Sequence, residues 1–285
     1  MDTYALVTDR IIAELAQGRI PWRKPWAARC GAISRATGKP YSLLNQLLLG
    51  GQSGEYVTFR QAAAEGSYVK KGEKGHTVVF WKWLKVTDED TGEEKEIPYL
   101  KHYTVFHINQ CEGLTPKYTA SAEAVTNPAE ADERAEKIIT DYVTRSGVKL
   151  IRRESNEAYY SPARDEIVIP DITQFTETPE YYSTAFHETV HSTGSASRLC
   201  RINTTAAFGS DDYSQEELVA ELGASYLLNH CGLESPSSFR NNAAYIQAWL
   251  KELKNDKRLI VVAAGKAEKA VRYILADEEG ADENV

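Results

Sequence analysis

His187, Glu188 and His191 stand in the order H-E-x-x-H within the run Ala185-Phe186-His187-Glu188-Thr189-Val190-His191. In a helix, positions i and i+4 share a face, so the two imidazoles can hold one metal ion and the intervening carboxylate can reach a water on it. That combination suits hydrolysis. Zinc lowers the pKa of its water to about 7, and a neighbouring carboxylate can take the proton. The expected roles are therefore His187 and His191 as ligands of one Zn²⁺ per chain and Glu188 as general base.

A catalytic zinc needs a third protein ligand and an open position. Downstream lies Ser214-Gln215-Glu216-Glu217-Leu218-Val219-Ala220-Glu221, where Glu217 and Glu221 are four apart on one helix face. The E-x-x-A-E pattern resembles the third-ligand helix of gluzincin metallopeptidases. The resemblance implies Glu217 on the metal and Glu221 behind it, holding an imidazole N–H. A second reading remains open: Ser214-x-x-Glu217 also fits a capping box, which would turn Glu217 back on the Ser214 amide and leave Glu221 as the ligand. A more distant third ligand is also open. Tyr213 and His230 are candidates for steadying an oxyanion, on residue type alone.

A different chemistry is written nearer the start. Residues 1–85 carry 13 Lys/Arg against 6 Asp/Glu, while the remaining 200 carry 20 against 35. The overall charge of −8 therefore hides a basic first part. Its cations are interleaved with aromatics, the pairing that single-strand binders use for phosphates and bases. Trp22, Arg23, Lys24, Trp26, Arg35, Lys39, Lys70, Lys71 and Lys74 are the expected DNA contacts, the other reading being a solvated charged turn with core aromatics. The last three sit in a glycine-rich turn.

The elements that must position these groups follow from periodicity and breakers. Helices are expected over 2–18, 42–49 and 58–65. A strand, glycine turn and strand follow over 69–81, then an acidic hairpin tip at 88–94 and a returning strand over 99–108. Residues 115–128 lack apolar periodicity and read as a linker. A helix over 129–146 precedes strands near 149–151, 158–160 and 166–169, the second of which could form an edge beside the motif helix. Thr178-Pro179-Glu180 begins that helix. Further helices are expected from Asp211 to about His230, over 236–255 and over 261–276, with an acidic, frayed end.

The composition, 42% hydrophobic and 26% charged, is that of a globular protein. No stretch approaches the roughly 18 apolar residues of a membrane span. The first residues lack a secretory pattern, so a cytoplasmic setting is expected. Cys30, Cys111, Cys200 and Cys231 lack C-x-x-C spacing and read as reduced thiols.

Taken in order, several segments resemble the ArdC-type antirestriction proteins. They are Ile20-Pro21-Trp22-Arg23-Lys24-Pro25-Trp26, Ser34-Arg35-Ala36-Thr37-Gly38-Lys39-Pro40-Tyr41, Tyr56-Val57-Thr58-Phe59-Arg60-Gln61-Ala62, Val69 to Gly75, Val105 to Leu114, Tyr159-Tyr160-Ser161-Pro162, Ile167 to Pro170, the His187 motif and Glu216 to Glu221. His107, Cys111 and the short loop after Gly50-Gly51 depart from the family pattern, away from the motif. The resemblance implies an α+β protein of two domains: an N-terminal mixed helix and antiparallel-sheet domain that binds single-stranded DNA (1–115), a linker (116–127) and a zincin-like metallopeptidase domain (128–285). It also implies a bacterial mobile-element or plasmid origin, a role in protecting incoming DNA from restriction during conjugation, and possible passage into a recipient cell. A protein or peptide substrate is the further expected partner. The competing expectations are a DNA-coating protein whose zinc domain is structural or non-catalytic, and a zinc endopeptidase with an unrelated protein target.

Overall fold

The computed structural model describes residues 2–17, 31–50, 52–87, 94–118, 128–175, 177–202, 211–233 and 243–276. The Ile20–Trp26 segment, Cys30, the acidic hairpin tip, most of the expected linker and the acidic end lie outside the described residues. The chain divides into two compact units, one containing Cys30–Ser121 and the other Ala122–Glu278 together with Thr8–Arg29.

Helix α1 (Thr3–Ala16) is amphipathic, as its apolar spacing requires. It buries Val7, Ile11 and Leu15. From Thr8 onward its contacts group with the second unit. Within that second unit the Thr8 hydroxyl donates to the Lys257 carbonyl at 2.6 Å, and Lys257 pairs with Asp9.

The first unit is built on a four-stranded sheet in the order β1 (Ala32–Ser34), β2 (Gly54–Thr58), β5 (Glu94–His107), β4 (His76–Thr87). It is antiparallel except for the parallel β1–β2 pair. The β1 and β2 strands escape the periodicity reading because three and five residues are too few to alternate convincingly. Strand β2 opens at Gly54, with φ +125°, where an added Cβ would lie 2.3 Å from His107 Nε2. Helix α2 (Leu43–Leu48) covers the sheet, and Asn45 exchanges two 2.7 Å hydrogen bonds with the Val79 backbone. Helix α3 (Phe59–Ala64) starts in a complete capping box between Thr58 and Gln61. A small pair, β3 (Tyr68–Val69) with β6 (Cys111–Glu112), closes the unit. Strands β4 and β5 pair from His76↔Val105 out to Thr87↔Glu94, a longer ribbon than the sequence reading, which began the return at Tyr99.

In the second unit, α4 (Pro128–Ser146) leads into a three-stranded sheet. Its centre is β9 (Glu166–Pro170), parallel to β7 (Lys149–Arg153) and antiparallel to the edge strand β8 (Tyr159–Ser161). Ile167, Val168 and Ile169 are fully buried, as a central strand covered on both faces demands. Helices α5 (Thr178–Ser192) and α6 (Asp211–Cys231) pack together, and α8 (Leu259–Leu275) packs on α6. Helix α7 covers Ala243–Asn255, and residues 236–242 of the expected helix lie outside the described residues. Cys111 and Cys231 are buried free thiols and Cys200 is an exposed one. Among the described residues no helix is long and apolar enough to cross a membrane.

Candidate metal centre

The motif sits on α5, which begins with Pro179 in its first turn and Glu180 near its positive end. One face of α5 is buried through Tyr182, Ala185, Phe186, Thr189 and Val190. This leaves His187 and His191, one turn apart, on an adjoining half-covered face. Helix α6 runs alongside at close range because Gly223 faces Val190. A Cβ on Gly223 would lie 2.8 Å from Val190 Cγ2.

The seam brings Glu217 to both histidines. Its Oε2 is 3.5 Å from His187 Nε2 and its Oε1 is 3.4 Å from His191 Nε2, and the two Nε2 atoms are 3.0 Å apart. Among the described residues, His187, His191 and Glu217 form the one group of three able to converge on a metal ion. A tetrahedral zinc with bonds of about 2.0–2.1 Å needs donors about 3.3 Å apart, so the three residues fit such a cation. Two inward-facing imidazole nitrogens and a carboxylate also suit it chemically. Glu188, the neighbour of His187, is 8% exposed.

Helix α6 begins at Asp211, so Ser214 lies inside the helix and is not its cap. The capping-box reading of Glu217 gives way for that reason. Glu221 is buried one turn further on. One carboxylate behind an imidazole is Glu216, whose Oε1 accepts from His191 Nδ1 at 3.2 Å. An ionised carboxylate can only accept, which makes Nδ1 a protonated nitrogen and leaves Nε2 as the ring atom that faces Glu217 and His187. Glu216 is held in turn by Arg201, through Nε to Oε2 and Nη2 to Oε1, both at 2.8 Å. The same guanidinium donates to the Val190 carbonyl and the Thr193 hydroxyl at the end of α5, each at 2.8 Å.

Neither Glu216 nor Arg201 was found from the sequence. Glu216 was hidden by its neighbour Glu217, since adjacent helix positions differ by about 100° and only the packed face chooses between them. His230 lies in the last turn of α6, about 20 Å along the helix from Glu217 at 1.5 Å per residue, too far to share its site.

Burial alone would disfavour a charged His191. Hydrogen bonds to Glu216 and Glu217, with Glu188 nearby, outweigh it and raise the imidazole pKa to about 10. Burial likewise opposes ionisation of Glu217, and the two histidines overcome it and push its carboxyl well below the usual range. The cluster is an acidic pocket that holds positive charge: a proton, or a divalent cation in the proton's place.

A second arginine braces the far end of the helix. Arg198 donates from Nε to the Ser192 carbonyl at 2.8 Å, and its fork grips Asp165, with Nη1 to Oδ2 at 3.0 Å. The Tyr160 hydroxyl donates to Asp165 Oδ1 at 2.8 Å. The end of α5 is thereby tied to the β8–β9 turn.

Comparison with known proteins agrees with this arrangement. Residues 133–266 match the zincin-like metallopeptidase family MPTase-PolyVal, and residues 1–106 match ArdcN, the N-terminal domain of anti-restriction factor ArdC. The metal-free crystal structure of the antirestriction ArdC protein from plasmid R388 is 37% identical, covers 96% of this chain and 97% of that one, and superposes with a TM-score of 0.73. The chain belongs to the ArdC antirestriction family. The Mn(II)-bound structure of the same R388 protein matches at 36% identity and a TM-score of 0.74 over 98% of this chain and 100% of that one. The zincin-like metallopeptidase fold is common to this chain and the R388 protein, and it is the R388 protein in which Mn(II) is bound. An uncharacterised protein, y4eC of Sinorhizobium fredii, is 33% identical over 99% of this chain and 94% of its own length. The Escherichia coli DNA primase TraC is 35% identical over 96% of this chain, which spans 27% of that protein, and a second Escherichia coli TraC is 33% identical with 20% spanned.

The ArdcN match includes the residues expected to contact DNA. Trp22, Arg23, Lys24 and Trp26 lie outside the described residues. Arg35 does not face solvent. It is 5% exposed, pairs with Glu55 and Glu65, and donates to the Thr115 carbonyl at 2.8 Å. Its place among the expected DNA contacts is therefore corrected to a structural one: buried Glu55 needs a cation, and residue type alone cannot tell that demand from a phosphate's. Lys39, Lys70, Lys71 and Lys74 are exposed. Lys70 already donates to the Asn109 carbonyl at 2.9 Å, and the turn's Glu73 accepts from Gln110.

Proposed function

We propose that this ArdC-family chain is a zinc-dependent peptidase joined to a single-stranded-DNA-binding unit, and that it protects incoming DNA of a mobile element from host restriction. The observation that carries the peptidase reading is the convergence of His187, His191 and Glu217 at tetrahedral spacing beside Glu188. The domain boundaries that go with it are 1–115 and 128–285.

In this reading His187 Nε2, His191 Nε2 and one oxygen of Glu217 hold the cation. Bound there, zinc supplies Lewis acidity toward a peptide carbonyl and lowers the pKa of water to about 7. Glu188 moves the proton, taking it from the attacking water and passing it to the departing amine. Glu216 keeps the His191 Nδ1 proton in place. Strand β8, at the edge of its sheet, offers an extended peptide a strand to pair with.

The test is Glu188→Gln. Metal content should stay near that of the unaltered protein, by mass spectrometry of the metal, while cleavage of a casein or peptide-library substrate falls by at least about 100-fold. Equal cleavage by both proteins would remove the peptidase reading. The basic first part supports a second reading, a DNA-coating protein whose zinc domain is dispensable or structural. Protection from a restriction enzyme would then survive Glu188→Gln.

A further inference from the structure

Beyond the core residues Val78 and Val105, the same face of the β4–β5 ribbon continues as exposed aromatic surface. Tyr99 is 38% exposed and Tyr103 is 47% exposed, and Lys101 between them is also exposed. Successive strand residues point to opposite faces, so positions 99, 101 and 103 share one face. The Lys101 Nζ lies 5.5 Å from the centre of the Tyr99 ring. Exposed tyrosines of this kind bury little apolar surface and add little to folding. They are suited to a ligand that has flat faces and negative charge.

We propose that Tyr99, Lys101 and Tyr103 form a stacking platform for single-stranded DNA, with the two rings taking bases and Lys101 taking the phosphate between them. This rests on the reading that the chain binds single strands, and it assigns that binding to a named face.

Spacing favours this occupant. Residues four apart in a strand are about 13 Å apart. Bases within a stacked strand are about 3.4 Å apart. Two rings so far apart therefore suit an extended strand whose bases have left their own stack. A duplex keeps its base faces covered and offers only its edges and backbone. Charge favours it as well. The ribbon face presents an ammonium over the Tyr99 ring, whereas the Lys70–Lys74 turn mixes its lysines with Glu73 and commits Lys70 to the Asn109 carbonyl. Stacking on aromatic rings tolerates any base, so the platform would be indifferent to sequence.

The experiment is fluorescence anisotropy of labelled oligo-dT against the full chain over a salt series. The variants are Tyr99→Ala/Tyr103→Ala, the corresponding double Phe variant, and Lys101→Met. Loss of one stacked base corresponds to roughly a 5- to 150-fold weakening. The double Ala variant should therefore bind at least about 10-fold more weakly with its salt slope unchanged. The double Phe variant should bind as the unaltered protein does. Lys101→Met should lower the salt slope by about 0.7. Oligo-dT binding by the unaltered chain with all variants within two-fold of it would overturn the platform and leave single-strand binding standing elsewhere. Absence of binding by the unaltered chain at low salt would overturn both. Loss of self-association in the Ala variant, with DNA affinity intact, would assign the face to a second copy and overturn the platform too.

Discussion

At the scale of single residues, the site depends on side chains that never meet a substrate. Glu216 fixes the proton of His191, and Arg201 fixes Glu216 with two hydrogen bonds of 2.8 Å. Glu216→Gln should weaken metal binding by roughly 10- to 100-fold, because the amide cannot accept with the same strength and the ring is freed to rotate. A chelator-competition titration reads this directly. A second prediction concerns the Asp165–Arg198 brace. Asp165 adopts φ +50°, a conformation that Asn tolerates, so Asp165→Asn removes charge and little else. Its hydrogen bonds with Arg198 lower the Asp165 pKa despite partial burial. A carboxylate depressed on folding stabilises above its unfolded value of about 3.9, and the stabilisation disappears as pH falls through the lower folded value. Asp165 is 38% exposed along its side chain, so the effect is discounted to about 1 kcal/mol at neutral pH. Urea melts of metal-free protein should show that difference at pH 7 and lose most of it near pH 3. Equal differences at both pH values would remove the charge from the explanation. The sequence made His187 and His191 readable because their relation is local, set by one helical turn. It left Glu216 and Arg201 unread because their roles depend on which face α6 turns inward and on a loop with no period.

At the scale of elements, the closeness of α5 and α6 decides whether Glu217 reaches the histidines at all. Gly223 permits it. Gly223→Ala places a methyl against Val190 Cγ2, in a region where Val190 and Leu222 are fully buried. Overpacking of this kind costs about 1–3 kcal/mol. The variant should melt earlier and hold metal less tightly. Adding Val190→Ala should restore part of both, the signature of two coupled neighbours. Additive losses in the pair would show that the seam is not the cause. Long elements with clear periods, such as α1, α4 and α8, were legible in sequence. The short β1 and β2 were not, since what makes them strands is their pairing with β5 and with each other. The left-handed backbone at Gly54, beside His107, belongs to the same non-local set.

At the scale of the whole molecule, the order of the chain and the order of its contacts differ. Helix α1 comes first, yet from Thr8 it groups with the unit that holds the metal site. A fragment of residues 128–276 should therefore be less stable than the full chain's second unit, because it would lack the buried Ile11 and Leu15 of α1. Burial of two such side chains accounts for about 3–6 kcal/mol at most. Adding a peptide of residues 2–17 should raise the fragment's melting temperature. No change on addition would show that α1 contributes nothing there. This grouping was beyond the sequence reading, which saw an amphipathic helix but could not see the surface that receives its apolar face.

Time is also built into that arrangement. The Thr8 hydroxyl is bonded to the carbonyl of Lys257, 249 residues later in the chain. A ribosome adding about 5–20 residues per second needs roughly 10–50 s to cover that interval. Throughout it the Thr8 hydroxyl is without its final partner. Over that interval the newborn chain carries an amphipathic helix whose Thr8 contact has still to form, which is a ready handle for a chaperone. The metal pocket reaches its finished form only after the last helices have left the exit tunnel.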